Sequence, residues 1–567
     1  MLFFNTYVKL NIESSDKMRR GFTLIELLAV IVILAIIALI AVPIVVNIIN
    51  DSKKESQEES IKLYAKAIEN GLLNYLLKYP NDREITLDKI KGYINYNGQK
   101  IECKTVQMNE KGKIYLTNCS INDVEVEYEY GDLIKPIVEL PQGLTPIIYD
   151  GDNWKVIDEN DSNWYDYDNQ KWANAVVLKS NSTKTVGDIV TIEGNDSDVL
   201  MIYVWIPRFE YKIEGQYGKH LDGTDGTQNF PGEIKINFVS KNVITANEGY
   251  HLHPAFKFGD EEKTGFWIGK FEISHMTKSQ GNSQFDNSSD LNCTTNNCDE
   301  AQYLRVLPNR PSLRYNFVSN FWYGIKSIEN TNLFVLRDVD VHMIKNSEWA
   351  AVAYLSQSKY GKYGNSNYEG AQKEVYINNS SSYYTGRSGG NSGGNTAIKD
   401  TYTDQTSTIQ YNNYGFYTYD GYLLNYNTNT KTETRDIKKG TGASTTGNIY
   451  GVYDMSGGAN EYVMGVYKFA RNSSDYFFED IFSMDKKYYN IYTTTIATTA
   501  CDNDICYGEG LSETLNWYCS NSSIMPYSTT NHPWLSRGNN YSSKCSIFRF
   551  SENSGSNMLS TTRIVIS

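Results

Sequence analysis

The sequence predicts an α+β multidomain chain: a long N-terminal transmembrane helix with a small β-hairpin region, then a large α+β domain rich in loops. Three observations lead there. An uncharged run, Leu27–Val46, follows the basic stretch KMRRG. A helical spacing of apolar residues continues straight out of that run. Beyond it, short aromatic strands alternate with turn residues for most of the remaining chain.

Size and composition bound the reading. At 567 residues the chain exceeds what one ordinary core organises, so two or more domains are expected. A formal charge of −13 argues against a nucleic-acid partner, because phosphate binding needs a basic surface. With 45 Tyr and abundant Asn, Ser, Thr and Gly, the composition fits an exposed polar β protein better than a cytosolic enzyme. The 8 cysteines fall in close pairs: Cys103/Cys119, Cys293/Cys298, Cys501/Cys506 and Cys519/Cys545. Beside an export segment such pairs read as short-loop disulfides. Zinc is the rival, since Cys293/Cys298 and Cys501/Cys506 share a C-x4-C spacing, but no histidine lies near either pair. No metal and no cofactor are expected.

As a helix, Leu27–Val46 spans about 30 Å, enough to cross a bilayer. The basic KMRRG keeps its start cytoplasmic, which puts the membrane segment at about 22–49 and the rest of the chain outside. A plain signal peptide has a shorter apolar core and a small-residue cleavage site. Here the helix runs on: after NDSKKESQEES, residues Ile61, Tyr64, Ala65, Ile68, Leu72, Tyr75 and Leu76 keep three-and-four spacing until Pro80-Asn81 stops it. One helix over 22–80 is the expectation. Glu26 is the anomaly, because a charge in such a segment costs a few kcal/mol unless a partner meets it.

KMRRG followed by FTLIELLAVIVILAIIALIAVP resembles the type IV prepilin and pseudopilin N-terminus. The resemblance implies a leader at 1–21, with Met18 as an alternative start to Met1. It implies cleavage by prepilin peptidase after Gly21 and methylation of the new N-terminal Phe22. Glu26 then becomes the fifth mature residue, and Pro43 matches a helix-loosening proline of the family. The ammonium created at Phe22 would meet Glu26 of a neighbouring subunit inside the filament and set its register. Other pilin or pseudopilin subunits, the peptidase and the membrane are the implied partners. The bland alternative is an uncleaved signal anchor whose Glu26 stays near the headgroups. Pilus and pseudopilus both remain open.

After the helix, 81–134 reads as a small β region. IECKTVQMNEKGKIYLTNC alternates about a turn, so a hairpin bridged by Cys103 and Cys119 is expected, and DVEVEYEYG adds a strand. Prolines at 136, 141 and 146 make 135–150 a stiff linker. Residues 151–199 form a β segment leading into a domain at 200–567. In that domain MIYVWIPRFEYKI and TGFWIGKFEIS read as strands, and NSEWAAVAYLSQS as a helix capped by Asn346 or Ser347 with Glu348 in its first turn. The Asn/Tyr/Ser/Thr/Gly-rich stretch at about 361–446 reads as long surface loops whose tyrosines can bury their rings.

FWIGKFEIS, NSEWAAVAYL, IYGVYDMSGGANEYVMG and WLSRGNNYSSKCSIFRF…TTRIVIS occur in the order of formylglycine-generating-enzyme-like domains, and the resemblance covers 200–567. Asp454, Met455, Gly457, Asn460, Glu461 and Tyr462 carry its most specific motif. It implies a C-type-lectin-type fold. The oxidases of that family work through two cysteines with four residues between them, binding copper, in the segment matching RGNNYSSKCSIFRF. Only Cys545 stands there, with Ser543 and Phe548 near the expected places, so no catalytic residue is assigned. An exported, membrane-anchored oxidase of this type is the alternative to a binding protein. His251 and His253 share one strand face with no carboxylate motif, and their bland role is structural.

The tail 517–567 has the composition of a binding surface. Tyr and Trp give contact area at low entropy cost, and Ser and Asn supply adaptable hydrogen bonds. Its candidate ligand contacts are Trp517, Tyr518, Asn521, Tyr527, Asn539, Asn540, Tyr541 and Ser543, in a tail interrupted by the scaffold-like pieces HPWLSRG, FRF and RIVIS, with Trp534 and Phe548 as scaffold. The tail also resembles the variable region of retroelement-diversified target proteins. The blander reading is a solvated loop. The expected function is a minor type IV pilin or pseudopilin displaying a non-catalytic lectin-type adhesin, with an extracellular protein or glycan as ligand.

Overall fold

The computed structural model describes residues 24–80, 87–108, 114–126, 130–131, 135–192, 197–276, 291, 293, 298–334, 336–368, 373–378, 380, 382–388, 415–417, 423–427, 432–436, 440–467, 481–492, 507–518, 533–538, 546–553, 555 and 559–567. The chain divides into two compact units, Met1–Gly131 and Asp132–Ser567.

In the first unit, α1 (Leu24–Lys78) is a single helix of 55 residues. It stops just before Pro80, whose ring disfavours helical backbone in the residue ahead of it. The spaced apolar residues lie where the sequence puts them: Ile61, Ala65 and Ile68 are fully buried, and Leu72 and Tyr75 nearly so. They pack against Ile101, Ile114, Leu116 and Ile121. Those residues belong to an antiparallel hairpin, β1 (Ile101–Met108) and β2 (Ile114–Ile121), in which Cys103 lies opposite Cys119 and the two form a disulfide. A short β3 (Val124–Val126) pairs with β2. On the same helix Leu63, Leu73 and Leu77 are exposed. Among the described residues, no helix is long and apolar enough to cross a membrane; through most of 24–51 only the helical backbone is described.

The second unit is built on a seven-stranded antiparallel sheet. From one edge it runs Val341–Met343, Ile564–Ile566, Gly265–Gly269, Val199–Pro207, Asn174–Leu178, Thr145–Tyr149 and Trp154–Val156. All nine residues of Val199–Pro207 are buried, as expected of a continuously apolar strand at the centre of a sheet covered on both faces. A second sheet joins Asn460–Tyr467 to Asn490–Tyr492 on one side and to Trp534–Arg537 and Phe550–Asn553 on the other. A third places His251–Leu252 at the edge beside Phe209–Lys212 and Lys235–Phe238.

Four expectations change. The stretch 135–150 is not a free linker: Thr145–Tyr149 pairs within the large sheet, and the Trp205 and Trp267 indoles donate to Ile137 O (3.0 Å) and Glu139 O (2.8 Å). Its alternating apolar residues dominate, with Leu144 and Ile147 buried, and proline is accommodated because pairing need not use every N–H. Residues 151–199 likewise contribute two strands to that sheet rather than leading into a separate domain. The helix Asn346–Ser356 includes Asn346 as a helical residue; Lys345 is the cap, and its N–H donates to Glu348 Oε2 at 2.8 Å. The ends of the tyrosine-rich stretch are core, not surface loop: Lys362, Tyr363, Tyr368, Tyr376 and Thr441–Thr446 are buried.

Candidate functional site

The N-terminal candidates sit at the edge of what is described. Gly21 and Phe22 lie outside the described residues, and Glu26 lies in the first turns of α1, where only the backbone is described.

The tail divides into frame and remainder. Trp534 and Phe548 are buried, as scaffold residues should be. Trp517 and Tyr518, expected at a ligand surface, are buried too, at 1% and 4% exposure. Trp517 packs on Phe548 at 5.3 Å and donates to Gln216 O, while the Tyr518 hydroxyl donates to Gln357 Oε1 at 2.9 Å. Large rings beside a partner-rich interior gain more from burial than from solvent, so both are core. Asn521, Tyr527, Asn539, Asn540, Tyr541 and Ser543 lie outside the described residues, as do Cys501, Cys506, Cys519 and Cys545. Cys293 and Cys298 are joined as a disulfide.

The motif around YDMSGGANEYV forms an enclosed polar cluster. Arg563 holds Glu461 through two contacts, Nε to Oε2 at 2.7 Å and an Nη to Oε1 at 2.6 Å, and donates to Gly269 O and Tyr453 O. Asp454 accepts from the Asn378 side chain (2.8 Å) and from Gly386 N (2.9 Å). Glu272 accepts from Ala459 N and from the Ser312 hydroxyl. Gly458, at φ +68°, allows this close approach, since a Cβ there would lie 2.6 Å from Glu272 Oε1. Burial raises all three acids: Glu272 well above the ordinary carboxylate range, Asp454 to about 6 and Glu461 to about 7, with Arg563 opposing the rise. The cluster ties five segments together, around Glu272, Ser312, Asn378, Asp454 and Arg563, and is almost wholly closed to solvent.

An open cleft of 670 Å³ lies elsewhere in the same unit, lined among others by Tyr250, His251, Tyr489, Asn490, Tyr492, Tyr507 and Glu509. Its geometry is set from beneath. The Tyr211 and Tyr354 hydroxyls both donate to the Glu513 carboxylate at 2.8 Å, and Gly508 N donates to it at 2.7 Å. Arg537, from the strand Trp534–Arg537, donates twice to Gly510 O at 3.0 Å. Gly508 must be glycine: it has φ +76°, and a Cβ would meet Pro254 at 2.3 Å. So anchored, the turn stacks Tyr507 on His251, with ring centroids 3.8 Å apart and planes 13° from parallel. Burial lowers the His251 pKa, which favours its neutral form. On the floor, Glu509 Oε2 accepts from Tyr492 Oη (2.8 Å) and Asn346 Nδ2 (2.9 Å). His253, on the neighbouring strand end, is a core residue whose pKa burial pushes down to about 3.

Sequence reading missed this cleft. GYHLHP, KKYYNIY and CYGEG each carry its tyrosines, but nothing in their spacing brings positions 250, 490 and 507 together. A surplus of tyrosine in turn-rich segments was the available signal.

No curated protein matches this chain. Residues 16–42 match the family model of the prokaryotic N-terminal methylation motif. The chain thus carries a type IV pilin-like N-terminus, the signature of prepilin-peptidase processing and of assembly with other pilin subunits in a membrane-anchored or pilus-borne form.

Proposed function

We propose that this protein is a minor type IV pilin or pseudopilin that displays a non-catalytic, lectin-type adhesin domain at the cell surface or filament tip. The observation that carries the reading is the methylation motif at 16–42 on a chain whose second unit, Asp132–Ser567, is far larger than the stem unit. A bulky domain would crowd helical packing along a filament shaft, which favours a tip or minor position. The leucines exposed on α1, Leu63, Leu73 and Leu77, supply apolar surface for neighbouring subunits. The non-catalytic assignment rests on the single Cys545 where a formylglycine-generating oxidase would need two cysteines. The tail residues Asn521, Tyr527, Asn539, Asn540, Tyr541 and Ser543 remain proposed ligand contacts on compositional grounds, and a reverse-transcriptase gene beside a near-repeat of their coding sequence would mark them as diversified.

Mass spectrometry of surface protein tests the reading: the mature chain should begin with N-methylated Phe22, and Gly21→Val should accumulate precursor. Glu26→Val should still insert in the membrane, since it removes a charge from an apolar helix, yet enter sheared filaments poorly. An intact leader on surface-exposed protein, or equal incorporation of Glu26→Val and wild type, would refute it.

A further inference from the structure

We infer that the cleft over Glu509 is a binding site for a neutral saccharide, a short run of hexose or N-acetylhexosamine units. The inference rests on the reading of the second unit as a display domain and names the ligand class that one of its surfaces takes.

A sugar presents two kinds of surface, and the cleft offers a counterpart to each. One ring face carries polarised C–H groups, which pack on the electron-rich face of an aromatic ring. Tyr507 is 44% exposed and braced from behind by His251 at 3.8 Å, so it is a rigid platform with an outer face open to solvent. The hydroxyl edge both donates and accepts. Glu509 commits Oε2 to Tyr492 and Asn346, and no hydrogen bond among the described residues engages its Oε1. Asn490 accepts Ser347 N on its Oδ1 at 3.0 Å, which fixes the amide so that Nδ2 is the group left to donate. A pre-oriented carboxylate acceptor, a pre-oriented amide donor and an aromatic platform therefore line one cleft.

Size and charge narrow the class. The 670 Å³ volume lies inside the usual range for small-molecule sites, about 300–1,000 Å³, and exceeds what one sugar ring fills. Burial raises the Glu509 pKa and Lys486 also lines the cleft, so the site has little net charge to hold an ionic sugar and suits a neutral one. The edge strand His251–Leu252 also borders the cleft and could pair with an extended peptide, which makes peptide capture the competing outcome.

The test uses full-length mature protein in detergent on an array of neutral and acidic mono- to tetrasaccharides, followed by calorimetry with the best neutral oligosaccharide. Retention of neutral saccharides over their acidic counterparts is expected. Tyr507→Ala and the near-isosteric Glu509→Gln should each weaken binding at least tenfold with unchanged near-UV circular dichroism, whereas Leu221→Ala, at an exposed site outside the lining, should not. Three results overturn the proposal: no neutral saccharide retained, equal binding by folded Tyr507→Ala, or selective retention of extended peptides. Failure of the adhesin reading looks different, because Tyr507→Ala would then leave adhesion of the expressing cells untouched even if the purified protein binds sugar.

Discussion

In the stem unit the residues that hold the structure together are near neighbours along the chain. Successive members of Ile61, Ala65, Ile68 and Leu72 are about one helical turn apart and meet two antiparallel strands that are close neighbours in sequence. In the large unit, Ile564–Ile566 lies between Gly265–Gly269 and Val341–Met343, and Arg563 reaches Glu461 and Gly269. The first arrangement depends on local periodicity, the second on closing very long loops. Local contacts form at low entropic cost, whereas long-range pairing must recover loop-closure entropy before it stabilises anything. The two units should therefore respond differently to damage.

All 9 tryptophans lie in the second unit, so indole fluorescence reports on it alone, while much of the helical circular dichroism comes from α1. The largest separation is expected for Trp534→Ala. Removing a fully buried indole should cost about 3–5 kcal/mol, shifting the fluorescence transition in denaturant and leaving the melting of the stem helix in place. A common shift of both signals would mean that the units unfold as one. The converse experiment is Cys103→Ala with Cys119→Ala. Their disulfide spans a sequence separation of 16, and its loss should cost the stem unit about 3 kcal/mol with no change in the fluorescence transition.

A smaller, pH-dependent difference comes from the buried acids of the large unit. Burial raises the pKa values of Glu272, Asp454 and Glu461 against the opposing charge of Arg563, so the folded state keeps protons that the unfolded chain releases. With folded pKa values raised, their contribution is fully present below the unfolded value near 4.5 and is lost as pH rises through about 6 to 7, so stability of this unit should fall across that window. Glu272→Gln fixes the protonated shape and should flatten the slope by up to about 1.4 kcal/mol per pH unit. An unchanged slope would assign the proton elsewhere.

The two units were also unequally legible. Helix α1, the Cys103–Cys119 hairpin and the methylation motif are short-range patterns, and each could be read off consecutive residues. In the large unit the strands MIYVWIP, FWIG and RIVI and the helix at Asn346–Ser356 were legible as elements, because period and apolar runs mark them. Their neighbours were not. Composition made Trp517 and Tyr518 look like contact residues, since the same rings serve a paratope and a core, and only the positions of Phe548, Gln216 and Gln357 decide between them. Three prolines at regular spacing made 135–150 look like a spacer, although Trp205 and Trp267, far along the chain, claim its carbonyls.

Sequence alone determined where the stem helix stops and that its N-terminus carries a methylation motif, because helix breakers and motifs act through residues in direct succession. Tertiary structure decided which tyrosines stack on an open cleft and which lie in the core. Tyr507 meets His251 only because Glu513, Tyr211, Tyr354 and Arg537 hold a glycine-hinged turn in place, a convergence of segments up to about 300 residues apart that no local pattern encodes.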